Sequence, residues 1–451
     1  MPTTQSPLIL VTPLKPALIE GVAQKLSVLV RVQAPDAPPS KKTERKPYHL
    51  SLVIDRSGSM SGEPLHEAVR CARHMIDRMA ATDTASLFAF DDRVKVLADA
   101  QPVGDGKALR LALERIRSGG STNLHGGWKA GADSLLPGAG EAALARVILL
   151  SDGNANVGET VETNEIAALC ETAATAGVST STYGLGRDFN EELMVAMAKK
   201  GQGNHYYGDT AADLFEPFAE EFDLIANLFA RHVKLSLAAP AGIKITLLND
   251  YRIDSRDGFP LVHLPDVAFG AEAWALVELE IPAGLATAEG TQLLQAGVTA
   301  TTPEGEPIAF SDQALTLKAV SPAAWDMVLP DPLVTAREAE LAAARMLAAA
   351  RAAAENGDWD AIGAMLAEAQ RKFADHPWVA EVLEAMAQIA QQRDRERFSK
   401  EALYSSRKMG SRLSAKEELL QSMVAESSSP SFLRRKRSQG KSQFPDQDGK
   451  R

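Results

Sequence analysis

The sequence predicts an α/β protein: a doubly wound, mostly parallel sheet inserted in a β-sandwich, followed by a C-terminal α-helical region and a disordered tail. Three observations predict it. Between residues 48 and 229 short apolar runs alternate with helical patterns; between 231 and 320 the apolar residues fall to period two; from 333 to 397 alanine-rich stretches carry helical spacing. At 451 residues the chain has length for about three domains, each able to bury a core.

Composition excludes several classes. Hydrophobic residues make up 45% and charged residues 24%, ordinary values that fit neither a wholly disordered nor a collagen-like chain. Lys and Arg number 48 against 59 Asp and Glu, a net charge of −11, so no nucleic acid is expected as the main partner, since domains built on a phosphate backbone are basic. Cys71 and Cys170, the two cysteines, make neither a disulfide framework nor a four-thiolate metal site. No apolar run reaches 18 residues, so no transmembrane segment is expected. Met1 to Lys15 has no basic stretch ahead of Leu8-Ile9-Leu10-Val11, too short for a signal segment. The expectation is a cytoplasmic protein.

Taken in order, residues 8–33 end in alternating Leu26, Val28, Val30 and Val32, a strand that stops at Pro35. It has no partner nearby, and an open edge invites aggregation, so it is assigned to the later β domain. Residues 35–47, with their prolines and lysines, read as a linker. Residues 48–229 supply strands at His49–Ile54, Ser86–Phe90 with Val94–Leu97, Val147–Leu150, Val178–Tyr183 and His205–Tyr207. The first helix is set by Leu65, Ala68, Val69, Ala72, Ile76 and Met79, with Pro64 in its first turn, where a missing N–H costs nothing. Further helices are predicted at 107–117, 124–136, 162–176, 190–199 and 211–229. Strands alternating with helices give a parallel sheet covered on both faces.

Residues 231–320 carry Val233, Leu235 and Leu237, then Ile243, Ile245 and Leu247, then Ala275, Val277, Leu279 and Ile281, separated by turns such as Asp257-Gly258. Those spacings suit an antiparallel sandwich. Residues 333–397 form three helices broken at Asn356-Gly357-Asp358 and Asp375-His376-Pro377; one hairpin of the tetratricopeptide kind is faintly suggested by Gly357-Asp358-Trp359. A single such unit cannot bury its own faces, so these helices are expected to pack on the β domain or on a partner. Residues 398–451, rich in Ser, Lys and Arg, read as a mostly disordered basic tail.

Chemistry concentrates where the first α/β strand ends. Leu52-Val53-Ile54 runs into Asp55-Arg56-Ser57-Gly58-Ser59-Met60, and in open α/β sheets ligands bind outside the carboxyl ends of the strands. Asp55, Ser57 and Ser59 can converge from one tight loop, which is how a hard cation is held. Two other segments should reach the same rim: Ser118-Gly119-Gly120-Ser121-Thr122-Asn123 and Leu149-Leu150-Ser151-Asp152-Gly153.

This order of Asp-x-Ser-x-Ser, a threonine in a Gly-Gly-x-Thr-Asn loop and an Asp-Gly after a buried strand resembles the metal-ion-dependent adhesion site of the von Willebrand factor type A family. The resemblance spans about residues 48–229. Asp55, Ser57 and Ser59 match its first motif, Thr122 its second and Asp152 its third. Tyr183-Gly184-Leu185-Gly186 and Gly201-Gln202-Gly203-Asn204-His205-Tyr206-Tyr207 resemble the bacterial branch, similar to inter-alpha-trypsin inhibitor heavy chains and calcium-activated chloride channel proteins. The resemblance implies a Rossmann-like fold, direct metal contact by Ser57, Ser59 and Thr122, and contact through water by Asp55 and Asp152. All-oxygen donors favour Mg²⁺, with Mn²⁺ or Ca²⁺ also fitting, over Zn²⁺. Neutral direct ligands leave the cation electrophilic, so a partner protein presenting Asp or Glu is expected to complete its shell. Arg56 and Arg187 are expected to offset the acidic field of the chain locally.

Bland readings hold elsewhere. The eight histidines form no His-x-x-x-His pair, Cys71 with His74 is a lone Cys-x-x-His, and Cys170 reads as a small buried residue. The basic run from Arg434 to Arg437 could meet an acidic surface but reads first as a solvated tail. An enzyme is not expected. A phosphatase of the haloacid-dehalogenase kind needs a second aspartate where Ser57 stands, and neither a nucleotide loop nor a Gly-x-Ser-x-Gly elbow is present. The function predicted is a metal-dependent protein interaction module, a scaffold or assembly factor. Its alternative is a regulatory subunit of a MoxR-type AAA+ ATPase.

Overall fold

The computed structural model describes residues 6–36, 46–139, 144–152, 155–185, 189–208, 213, 215–256, 259–416 and 431–435. Most of the linker, Gly153, Arg187, the Asp257-Gly258 turn, and residues 417–430 and 436–451 of the tail lie outside the described residues. The chain divides into two compact units. One holds residues 46–226, and the other is assembled from segments before and after it, 6–36 with 227–302 and 306–416.

The α/β unit is built on six strands in the order Val94–Pro102, Thr84–Phe90, Tyr48–Asp55, Leu144–Ser151, Val178–Leu185 and Gln202–Gly208. Every pair is parallel except the first, where Val94–Pro102 runs back along Thr84–Phe90. Tyr48–Asp55, Leu144–Ser151 and Val178–Leu185 are buried at all eight positions, as central parallel strands covered on both faces must be. On one face Leu50, Leu52 and Ile54 pack with Leu65, Ala72, Met75 and Ile76 of the Glu63–Arg78 helix and with Phe218 and Ile225 of the Phe215–Ala226 helix. On the other lies Leu124–Leu135, seated so close that a Cβ on Gly131 would fall 2.4 Å from Val53.

A buried ion pair anchors the last helix. Glu221 accepts from Arg146 (2.5 Å), Ser181 (2.7 Å), Asn204 (2.7 Å) and Tyr206 (3.1 Å). Four donors saturate one carboxylate, the condition under which a buried charge is tolerated.

The second unit contains two main antiparallel sheets. One runs Leu8–Pro13, Gln24–Gln33, Ala271–Ile281, Lys244–Leu247, with Ser414–Ala415 also on Ala271–Ile281; the other runs Ile253–Arg256, Phe259–His263, Leu228–Ala238, Thr291–Thr301, Pro307–Ile308. The strand that lacks a local partner in the sequence, Gln24–Gln33, pairs with Ala271–Ile281 over ten residues, from Gln24 with Ile281 to Gln33 with Glu272. Leu8–Pro13 covers its other side.

After a five-residue helix, Pro322–Asp326, come four longer ones among the described residues: Pro332–Glu355, Trp359–Lys372, Pro377–Gln391 and Arg395–Ser411. Asp331, Asp358, His376 and Asp394 cap them by accepting from N–H groups of the first turn. The first docks on the sheet through Val334 and Leu341 against Leu29, Trp274 and Leu276. The fourth corrects the sequence reading, which placed a disordered tail from residue 398. Phe398, Ala402 and Met409 recur at helical spacing and join a core with Ala343, Leu347 and Ala350. Charged neighbours such as Arg395, Glu396 and Arg397 hid that stripe, because hydrophobic burial here needs only one narrow face. Farther on, Ser431–Leu433 forms a short 3₁₀ turn with Phe432 and Leu433 buried. Among the described residues no helix is long and apolar enough to cross a membrane.

Candidate metal centre

The predicted loop leaves the sheet at Asp55 and closes into a short 3₁₀ turn, Gly58–Met60, whose Met60 side chain is fully buried and pins the loop to the core. Asp55 is itself fully buried. Its Oδ1 accepts from the Ser57 N–H (2.8 Å) and its Oδ2 from the Ser151 hydroxyl (2.5 Å). Ser57 Oγ lies 3.2 Å from Ser59 Oγ, and Ser59 Oγ donates to Asp152 Oδ1 (3.1 Å). Asp55, Ser57, Ser59 and Asp152 therefore form one connected array drawn from the ends of two neighbouring parallel strands.

Thr122 lies on a neighbouring loop and shares none of the hydrogen bonds that connect the array. It is 4% exposed, and its loop is strapped to the first by Gly58 N to Gly120 O (3.1 Å) and Gly119 N to Arg56 O (2.8 Å). Its own N–H donates to Asn156 Oδ1 (2.9 Å), and its carbonyl accepts from Asn156 N (3.2 Å). Gly120 is required here. Its φ is +69°, and a Cβ would lie 2.3 Å from Asp92 Oδ1 and 3.0 Å from Asp91. Asn123 then caps the Leu124–Leu135 helix by accepting from Gly126 N.

Burial pushes the Asp55 carboxyl above its usual range; the Ser151 and Ser57 hydrogen bonds oppose that rise, and Asp91 adds to it. A buried carboxylate so placed is relieved by a cation beside it. Among the described residues the side chains of the array offer hydroxyl and carboxylate oxygens, which suits Mg²⁺, Mn²⁺ or Ca²⁺ more than a metal that selects imidazole or thiolate. Among the described residues no three His, Cys, Asp or Glu side chains cluster as metal ligands; the array brings two acids, Asp55 and Asp152, together with the hydroxyls of Ser57 and Ser59.

Three residues were not singled out by sequence reasoning. Ser151 holds Asp55, Asn156 holds the Thr122 loop, and Asp91 pairs with Arg56 at 2.6 Å. A usable signal existed for Asp91, a carboxylate directly after a buried strand, just as Asp152 is. The same pair corrects the expectation for Arg56, whose charge is neutralised by Asp91 and does not offset the acidic field. Arg187 lies outside the described residues. Cys71 and Cys170 are free and buried, and burial drives the Cys71 thiol up to about 12 and that of Cys170 higher.

The profile of the von Willebrand factor type A domain matches residues 49–220. The uncharacterized protein sll0103 of Synechocystis is 30% identical over 224 residues, 49% of this chain and 51% of that protein. Inter-alpha-trypsin inhibitor heavy chain H3 of the rat is 27% identical over 215 residues, 44% of this chain and 23% of the heavy chain. The chain thus spans about half the length of the first relative and about a quarter of the second. Among solved structures, a von Willebrand factor type A protein from Catenulispora acidiphila superposes with a TM-score of 0.65, covering 87% of this chain and 91% of that one at 16% identity, which shows the shared fold.

Proposed function

We propose, from the premise that residues 49–220 are a von Willebrand factor type A domain, that this chain binds a divalent cation at Asp55, Ser57, Ser59, Thr122 and Asp152 and recognises a partner protein through it. The observation that carries the reading is the connected oxygen array at the carboxyl end of the sheet, with fully buried Asp55 beneath it. Mg²⁺ is the cation we assign, with Mn²⁺ and Ca²⁺ able to substitute. When bound it would supply an electrophilic site for an Asp or Glu carboxylate of the partner. Ser57 and Ser59 donate neutral oxygens, Asp55 and Asp152 balance the charge, and Ser151 keeps Asp55 oriented. The role we assign is scaffolding and not catalysis. The setting is cytoplasmic, with which two buried free thiols are compatible.

Calorimetry of Mg²⁺ added to the full chain tests the site, and capture of partners with Mg²⁺ or EDTA tests its use. Wild-type binding lost in Ser59→Ala and Asp152→Ala, with a partner released by EDTA, supports the reading. A partner of the AAA+ ATPase class held in this way would make the chain a regulatory subunit. Absence of Mg²⁺, Mn²⁺ and Ca²⁺ binding by the wild type overturns the proposal.

A further inference from the structure

The residue between Asp55 and Ser57 carries an unusual share of the site's architecture. Arg56 N donates to Phe90 O (2.8 Å), and its carbonyl accepts from Gly119 N (2.8 Å). One arm of its guanidinium donates to Arg117 O (3.0 Å), and the other meets Asp91 Oδ2 (2.6 Å). Asp91 continues the strap: its Oδ1 accepts from Arg93 N (3.0 Å), and its carbonyl accepts from Asn123 N (2.7 Å), one residue past Thr122. The Arg56 side chain, bonded to Arg117 O and Asp91, adds to these main-chain bonds in tying together the 55–59 loop, the 90–93 turn and the 117–123 loop. Asp91 is 5% exposed, so the pair sits where a charged hydrogen bond is strong and fork geometry counts.

We propose that Arg56 and Asp91 are a positioning pair that fixes the distance between Ser57 and Ser59 on one loop and Thr122 on the other, and so sets the affinity for the divalent cation. This rests on the metal reading above. Neither residue touches the cation; each acts by holding the segments whose oxygens do. Because the two charges cancel, the pair also leaves the charge of the site to Asp55 and Asp152. Outer partners that orient ligands in this way change metal affinity by about 10- to 100-fold when removed.

The test compares Mg²⁺ affinity by calorimetry in the full chain for wild type, the double variant Arg56→Met with Asp91→Asn, Arg56→Lys, and Met75→Ala. The double variant removes the pair without changing net charge, so a changed affinity reports position and not field. Met75 is fully buried in the helix on the opposite face of the sheet; its truncation supplies a destabilised protein with both loops strapped. We expect affinity about 10-fold or more weaker in the double variant, intermediate in Arg56→Lys, which keeps charge but not the fork, and unchanged in Met75→Ala. Wild-type affinity in the double variant overturns the positioning role alone, as does an equal loss in Met75→Ala. If the double variant does not fold, undiminished affinity in Arg56→Lys overturns it. A wild type that binds no divalent cation overturns the metal reading itself.

Discussion

Gly131 lies in the middle of the Leu124–Leu135 helix, where propensity alone would favour alanine by about 1 kcal/mol. Its surroundings reverse that preference. A Cβ there would lie 2.4 Å from Val53 Cγ2 and 2.9 Å from Ser51 Oγ, both side chains of the central strand. Ordinary carbon contacts need about 3.5–4.0 Å, so the helix must lift by about 1 Å. Overpacking of that kind costs about 1–3 kcal/mol, and at 2.4 Å the upper end applies, leaving a net loss of about 2 kcal/mol for Gly131→Ala. Gly363, in the Trp359–Lys372 helix, is the matched control, since nothing lies within 4 Å of its added Cβ. Gly363→Ala should stabilise by about 0.5–1 kcal/mol. Hydrogen exchange resolved by peptide reads each helix separately, which a single melting curve of a two-unit chain does not. Faster exchange over 117–135 in the first variant and slower exchange over 359–372 in the second is the expected pair. A shift of the same sign in both would refute the packing argument.

Removing Glu221 takes from the buried Arg146 the carboxylate 2.5 Å away, so Glu221→Ala should cost about 3–5 kcal/mol in urea denaturation, while replacing both by Met and Leu should cost far less. Burial holds the His49 and His74 pKa values below the ordinary imidazole range. The unfolded chain therefore binds protons that the folded one refuses, and stability present above about pH 6.5 is lost as pH falls below it. His49→Gln should flatten that dependence between pH 7.5 and 5.5 in EDTA; an unchanged slope would assign it to other groups. Phe398→Ala should cost about 3–5 kcal/mol, as expected of a fully buried aromatic residue, and a tail that melts without affecting the other helices would count against it.

The α/β unit was legible because parallel strands announce themselves: each of its three central strands is a run of eight buried residues between helical patterns. Four of the five candidate ligands were likewise readable as one array, since strand order alone puts the ends of Tyr48–Asp55 and Leu144–Ser151 side by side. What escaped was non-local. That Ser151 would turn towards Asp55, or Asp91 towards Arg56, depends on side-chain direction at a strand end, which alternation does not specify for residues leaving the sheet. The fourth C-terminal helix escaped for another reason. Its charged residues dominate composition, whereas its burial rests on a stripe of Phe398, Ala402 and Met409.

Two of the fully buried carboxylates of the α/β unit, Glu221 and Asp55, differ in their donors. Glu221 receives four hydrogen bonds, from Arg146, Ser181, Asn204 and Tyr206, enough to fill the acceptor capacity of one carboxylate and to balance its charge. Asp55 accepts from Ser57 N and Ser151 Oγ, and the Ser57 hydroxyl also favours its charged form; all of these donors are neutral. The neighbouring positive charge, Arg56, is bonded to Asp91 instead. A buried acid without a cationic partner is expensive unless it protonates or a cation is supplied from outside the chain. A protonated Asp55 keeps the Ser151 contact with its direction reversed, so protonation and cation binding are alternative ways to relieve the buried charge. A divalent cation held at the proposed site would balance that charge and leave both hydrogen bonds intact. If the proposed site holds a cation, the melting temperature rises with added Mg²⁺ in the wild type but not in Ser59→Ala, and equal shifts in both would refute it.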